Sequence, residues 1–187
     1  MTLTSRRTLE GVVFLALFTA CIPAANWIIQ NVGTTCVPDG PCLIPVAPGL
    51  MAPSAVLVVG LAFVLRDLVQ RRLGLHWAAI AIIVGAGLSA LLAPPSLVIA
   101  SGVAFLISEF ADLAVYTPLQ RRRMILAVVA SSIVGLIVDS AVFLQLAFGD
   151  LTYIWGQIAG KAWMVLFAIP FIAWLRARDE RIGMAPA

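Results

Sequence analysis

Apolar residues run through this chain in six long blocks, separated by short stretches of polar, glycine and proline residues. The blocks fall at about 9–30, 51–67, 76–93, 96–117, 124–148 and 151–175. Each is close to the ~20 residues a helix needs to cross a bilayer. The pattern predicts one all-α transmembrane domain over residues 1–187, with six spans and a longer outer loop at 31–50. Arginines sort onto alternate loops. Arg6 and Arg7 precede the first block, Arg71 and Arg72 follow the second, Arg121 to Arg123 follow the fourth, and Arg176, Arg178 and Arg181 follow the sixth. The intervening loops carry neither Lys nor Arg, so the positive-inside rule puts both termini in the cytoplasm. The first block runs on through Asn26 and Trp27 with no clear cleavage site, which reads as a span and not as a signal peptide.

Polar interruptions within the blocks carry the chemistry. In the fourth, Phe105, Glu109, Asp112 and Tyr116 recur at helical spacing and share one stripe. Asp139 lies past the middle of the fifth block, on a track with Ser131, Ser132 and Gly135. In the sixth, Gln157 and Lys161 are four apart on one face, beside Gly156 and Gly160. Lys161 is the only lysine and lies near the bilayer centre, at a cost of roughly 2.5–3.5 kcal/mol on insertion scales. Asp139 or Glu109 is its natural counter-charge. Three acids (Glu109, Asp112, Asp139) facing one lysine, with amides at Asn26 and Gln157, imply a shared wet cavity. Trp27, Phe105, Tyr116, Phe143 and Trp163 are candidates for its flat apolar walls. Aromatic faces beside an edge-reading carboxylate suit a planar heterocycle, because a carboxylate accepts two parallel N–H bonds.

Composition narrows the classes. Hydrophobic residues make up 62% and charged residues 11%, where a soluble domain is nearer a quarter charged. The net charge of +3 comes from arginine clusters between spans, which excludes a nucleic-acid partner. A single His leaves no metal set, and no GxSxG or Walker loop occurs. An aspartyl intramembrane protease would need Asp112 and Asp139, but EFADLAVY and IVDSAVF lack glycine-bearing contexts. The chain reads as no enzyme, and no cofactor is called for.

Other features are structural. Pro23 is expected to kink the first span before Asn26 and Trp27. Ala16, Ala20 and Ala24 form a small-residue stripe expected to serve internal packing, with a partner as the alternative. Arg66 and Asp67 read as a cytoplasmic helix end with different partners, one of them a headgroup. Ile44 to Pro53, apolar and proline-rich, is expected to dip partway into the membrane. Cys36 and Cys42 in the outer loop either form a disulfide that tethers it or remain free thiols.

The runs ASGVAFLISEFADLAVYTPLQRR, SSIVGLIVDSAVFLQLAFG and GQIAGKAW, with ANW at 25–27, PGL at 48–50 and FVLRDLVQRRLG at 63–74, resemble the queuosine precursor transporter (VUT) family. The resemblance implies a six-helix fold like the substrate-binding components of ECF vitamin transporters. It also implies uptake of 7-cyano-7-deazaguanine and 7-aminomethyl-7-deazaguanine across a bacterial inner membrane. The substrate site expected on this basis comprises Asn26, Trp27, Phe105, Glu109, Asp112, Asp139, Gln157 and Lys161. Partners are then a planar deazapurine and the lipid bilayer. A homodimer and an ECF-type ATPase module stay open.

Overall fold

The computed structural model describes residues 2–38 and 40–187. Six long helices dominate: α1 (Leu3–Asn31), α2 (Val56–Leu73), α3 (Leu75–Leu92), α4 (Val98–Leu119), α5 (Met124–Phe148) and α6 (Ile154–Ile182). Leucine, isoleucine and valine cover the outward faces of α1 and α3 to α6, as at Leu17, Ile83, Ile99, Ile133 and Leu166. All of these except α2 are long and apolar enough to cross a membrane. The α2 helix carries Arg66, Asp67, Arg71 and Arg72 in eighteen residues. It touches all five other helices and is buried almost continuously from Ala62 to Arg72. Protein, not lipid, therefore surrounds its charges, which is the condition under which they are tolerated at membrane depth.

Helix bounds shift from the sequence expectation where tertiary structure intervenes. The second helix starts at Val56 instead of residue 51, and runs on to Leu73 instead of ending at 67. Upstream, the outer loop does not dip as irregular chain. It folds into a small antiparallel sheet of β1 (Thr35–Cys36), β2 (Cys42–Ala47) and β3 (Leu50–Pro53), the one departure from an all-α fold among the described residues. Pairing satisfies the backbone groups that a bare re-entrant loop would leave open. Pro48 and Gly49 turn β2 into β3, and Gly49 supplies the φ of +73° that a Pro-Gly turn requires. Cys36 and Cys42 are register partners across β1 and β2 and are joined by a disulfide.

The sheet rests on α6. Trp163 Nε1 donates to the Val46 carbonyl at 3.0 Å. Gly156 lies so close to the Met51 carbonyl oxygen that a Cβ there would collide with it. Gly60 plays the same part lower down, since a Cβ would meet the backbone of Lys161. The α2–α6 crossing is thereby close enough to fix where Lys161 sits. By contrast, α1 packs through Gly11, Phe14, Phe18, Cys21, Ile22 and Ile29, leaving Ala16 and Ala20 exposed. Ala16 and Ala20 thus do not serve internal packing, while Ala24 of the same stripe is half-buried. The helix continues through Pro23.

At the arginine-rich end, ion pairs tie three helices together. Arg72 grips Asp179 of α6 with both terminal nitrogens, at 2.8 and 2.9 Å, and Arg71 Nη2 reaches the same carboxylate at 3.1 Å. Glu10 of α1 accepts from Arg178 at 2.6 Å and lies 2.9 Å from Arg72 Nε. Burial acts to raise the Asp179 carboxyl, but hydrogen bonds and charge from Arg72, with Arg71 and Arg178, outweigh it and hold it below its ordinary value. Its stabilising contribution is complete above the unfolded carboxylate pKa of about 3.9. As pH falls from there through the lower folded value, the contribution is lost. The melting temperature, followed by tryptophan fluorescence, is expected to drop below about pH 4. The Asp179→Asn variant is expected to start lower and to fall less steeply.

Candidate solute-binding site

A cavity opens between the helices beneath the sheet, in two neighbouring lobes that share part of their lining. The outer lobe, about 80 Å³, is bounded by Asn26 of α1, Val56 and Val59 of α2, Phe105 of α4, Asp139 and Phe143 of α5, and Gln157 and Lys161 of α6. The inner lobe, about 50 Å³, shares Asn26, Val59, Phe105 and Asp139 and ends on Ser108 and Glu109. Pro53, at the end of β3, and Ala55, just past it, close one wall of the outer lobe. The cavity is thus mostly apolar with a few convergent polar groups, the usual character of a small-molecule site.

Its charged centre is the Asp139–Lys161 pair. Lys161 Nζ donates to Asp139 Oδ2 at 2.6 Å, to Ser140 Oγ at 2.8 Å and to Gln157 Oε1 at 2.5 Å. All three ammonium protons are engaged, which offsets the cost of burying the charge. Ser108 Oγ donates to the other Asp139 oxygen at 3.3 Å. The Asp139 side chain keeps 13% of its surface exposed, while Lys161 keeps 1%. Asp139 is therefore the member of the pair that a solute can reach. Gln157 has its oxygen committed to Lys161, so it offers the cavity an amide N–H. Asn26 Nδ2 donates to the Ile22 carbonyl at 2.9 Å, leaving its oxygen as the acceptor on offer. Phe105 lies where Gly85 of α3 gives it room and packs tilted against Phe18, with centroids 6.0 Å apart.

Behind the inner lobe lies a second cluster that the sequence did not suggest. Arg66, with no exposed side-chain surface, spreads its guanidinium over three acids. Its Nε donates to Glu109 Oε2 at 3.1 Å, Nη1 lies 2.9 Å from Asp67 Oδ1, and Nη2 bonds Asp112 Oδ1. Nη1 also donates to Gln70 at 3.3 Å, and the Tyr116 ring lies 5.8 Å beneath Cζ. Ser131 of the predicted polar track donates to Asp67 at 3.1 Å. Gly135 leaves space for Asp112 and Phe63 where α4 meets α5.

Several expectations need correction on this geometry. Arg66 and Asp67 do not go to separate partners or to a headgroup, because the long Arg66 side chain curls back to its neighbour while reaching α4. Glu109 pairs with Arg66, and Lys161 with Asp139 alone. Asp112 lies behind Glu109 and lines neither lobe. Trp27 is 60% exposed on the outer side of α1, Trp163 faces outward at α6, and Tyr116 is buried against Arg66. Trp27, four residues from the outer end of α1, has the placement of an interfacial belt residue, while Trp163 is tied to the hairpin through Val46. Asn26, Phe105, Glu109, Asp139, Gln157 and Lys161 do converge on the cavity, as does Phe143 from the expected wall aromatics. The missed partner Arg66 had one signal, a charge inside the apolar run FVLRDLVQ, which hydropathy assigned to a helix end.

Residues 89–175 match the family model described as "Putative vitamin uptake transporter". The match spans α4, α5 and most of α6, and so includes Phe105, Glu109, Asp139, Gln157 and Lys161. The five long apolar helices and the match together indicate a multi-pass membrane protein and support a transporter role. The match is consistent with the VUT-family resemblance carried by the sequence motifs. No curated protein and no solved structure matches the chain.

Proposed function

We propose that the protein takes up 7-deazaguanine precursors of queuosine, 7-cyano-7-deazaguanine and 7-aminomethyl-7-deazaguanine, across a bacterial inner membrane, with both termini cytoplasmic. The observation that carries this reading is the partly open Asp139 carboxylate, held by Lys161 and Ser108 in a cavity walled by Phe105 and Phe143. A guanine-like edge presents a ring N–H and an exocyclic amine side by side, which one carboxylate accepts together. Asn26 accepts from, and Gln157 donates to, the remaining heteroatoms, while Phe105 covers a ring face. Glu109 limits the depth of the site from the inner lobe. The motif resemblance supplies the substrate class, and the chemistry of the cavity agrees with it.

The alternative is a binding component that works only with a partner ATPase module, a reading favoured by the exposed Ala16 and Ala20. Liposomes containing this chain alone separate the two. Saturable uptake of labelled 7-cyano-7-deazaguanine is expected without ATP, whereas binding without uptake would favour the module. Asp139→Asn is expected to weaken binding by roughly 10- to 100-fold, the equivalent of losing a charge-assisted hydrogen bond. Undiminished binding by that variant would remove Asp139 from the site.

A further inference from the structure

We propose that uptake is coupled to a proton carried in the Arg66 cluster and exchanged with the cavity through Glu109. The proposal rests on the transport reading above and adds its driving force. It starts from a charge imbalance. Three carboxylates, Asp67, Glu109 and Asp112, each at most 2% exposed, meet one guanidinium. Elsewhere the charges are matched, with the partly exposed Asp139 on Lys161 and with Arg71 and Arg72 on Asp179 and Glu10, so the excess of acid lies in the Arg66 cluster. Unbalanced carboxylates in a low-dielectric interior are neutralised most readily by taking up a proton.

Unmet hydrogen bonding points the same way. Asp112 Oδ2 is fully buried and has no hydrogen-bond partner, and neither has the hydroxyl of Tyr116 one turn further along α4. A carboxylate oxygen with no donor in reach is where a proton resides at least cost, since protonation removes the charge and creates a donor. Among the described residues no group of His, Cys, Asp and Glu is arranged to hold a metal ion.

Position then assigns the roles. Glu109 is the one member of the cluster that lines the cavity. Facing it are Arg66 from α2, Asp112 from its own helix, Asp139 from α5 and the Cys21 thiol from α1. From α3 only Ser89 lines the same lobe, and Lys161 of α6 is held on Asp139. On the far side, Gln70 accepts from Arg66 and donates to Thr117 Oγ1 at 3.0 Å, carrying the polar chain towards the arginine-rich end. A proton from the outer water reaches a Glu109 oxygen through the inner lobe. Arg66 Nε then releases the neutral Glu109 while Nη1 and Nη2 keep Asp67 and Asp112. Glu109 passes its proton to Asp112 and returns to the carboxylate that Arg66 re-engages, and one proton leaves Asp112 towards the cytoplasmic side. A neutral solute moving with it carries one positive charge inward.

The test uses the full chain in liposomes loaded with a pH-sensitive dye, with 7-cyano-7-deazaguanine added outside. Expected are acidification of the lumen as solute enters, uptake several-fold faster with acid outside, and no change when sodium is replaced by choline. Solute entry without acidification, or a requirement for sodium, overturns proton coupling and leaves the transport reading standing. No entry under any condition counts against the transport reading, and the resident proton is then decided separately. Infrared spectra of the solute-free protein at neutral pH should show the C=O stretch of a buried carboxylic acid, altered in Asp112→Asn or in Asp67→Asn. Absence of that band in the wild type overturns the proposal.

Discussion

Replacing Arg66 by Met is expected to abolish stable folding. The side chain is the one cation bonded to Asp67, Glu109 and Asp112, from a position with no solvent access, and its removal leaves all three acids without it. Breaking a single buried pair costs about 3–5 kcal/mol. Domains have only about 5–15 kcal/mol in total. Folded yield after detergent extraction should therefore fall to a small fraction of wild type. Arg66→Lys should recover part of it, because an ammonium keeps the charge but cannot match the guanidinium fork that spans three acids. Combining Arg66→Met with Glu109→Gln and Asp112→Asn should recover more, because two of the stranded charges are then gone. An Arg66→Met variant that melts like wild type would show that water, not protein, solvates these acids.

The second large effect is at Lys161, where stability and binding should separate. Lys161→Met strands Asp139 beside an apolar side chain, with an expected loss of about 3–5 kcal/mol. Adding Asp139→Asn removes the stranded charge and should restore most of the melting temperature. Binding of 7-cyano-7-deazaguanine should stay lost in the double variant, since the carboxylate that reads the amine edge is missing. A pair with a purely structural role would behave differently, with binding returning together with stability. Thermal unfolding and calorimetric titration of the two variants beside the wild type decide between the two.

Much of the architecture was legible because hydropathy acts locally. Six apolar blocks became six helices, and the Phe105–Glu109–Asp112–Tyr116 spacing put those side chains on one inward face. What failed to show was whatever depends on contacts distant in sequence. Arg66 and Glu109 are 43 residues apart, so their pairing cannot be read from either segment. Burial of α2 among the other helices makes its charges internal, where hydropathy alone ends the span at 67. Trp27 illustrates the converse. It directly follows Asn26, and adjacent residues on a helix point about 100° apart, so only one of the two could face the cavity. Sequence spacing could not say which. The disulfide-closed sheet was hidden by its prolines: Pro45 lies in β2 beyond the two residues that pair with β1, and Pro53 ends the edge strand β3, positions where proline is tolerated but weakens any strand signal.

The central claim is that buried charges from α4, α5 and α6 converge on one cavity because a flat, edge-reading solute uses them. Calorimetric titration of the purified protein with 7-cyano-7-deazaguanine tests this most directly, with adenine as the control that lacks the paired donor edge. The account predicts one saturable site for the deazaguanine, little heat from adenine, and roughly 10- to 100-fold weaker binding in Asp139→Asn, measured below the melting temperature of that variant because Lys161 is left without its counter-charge. Equal binding of both bases, or tight deazaguanine binding that survives Asp139→Asn, would contradict it.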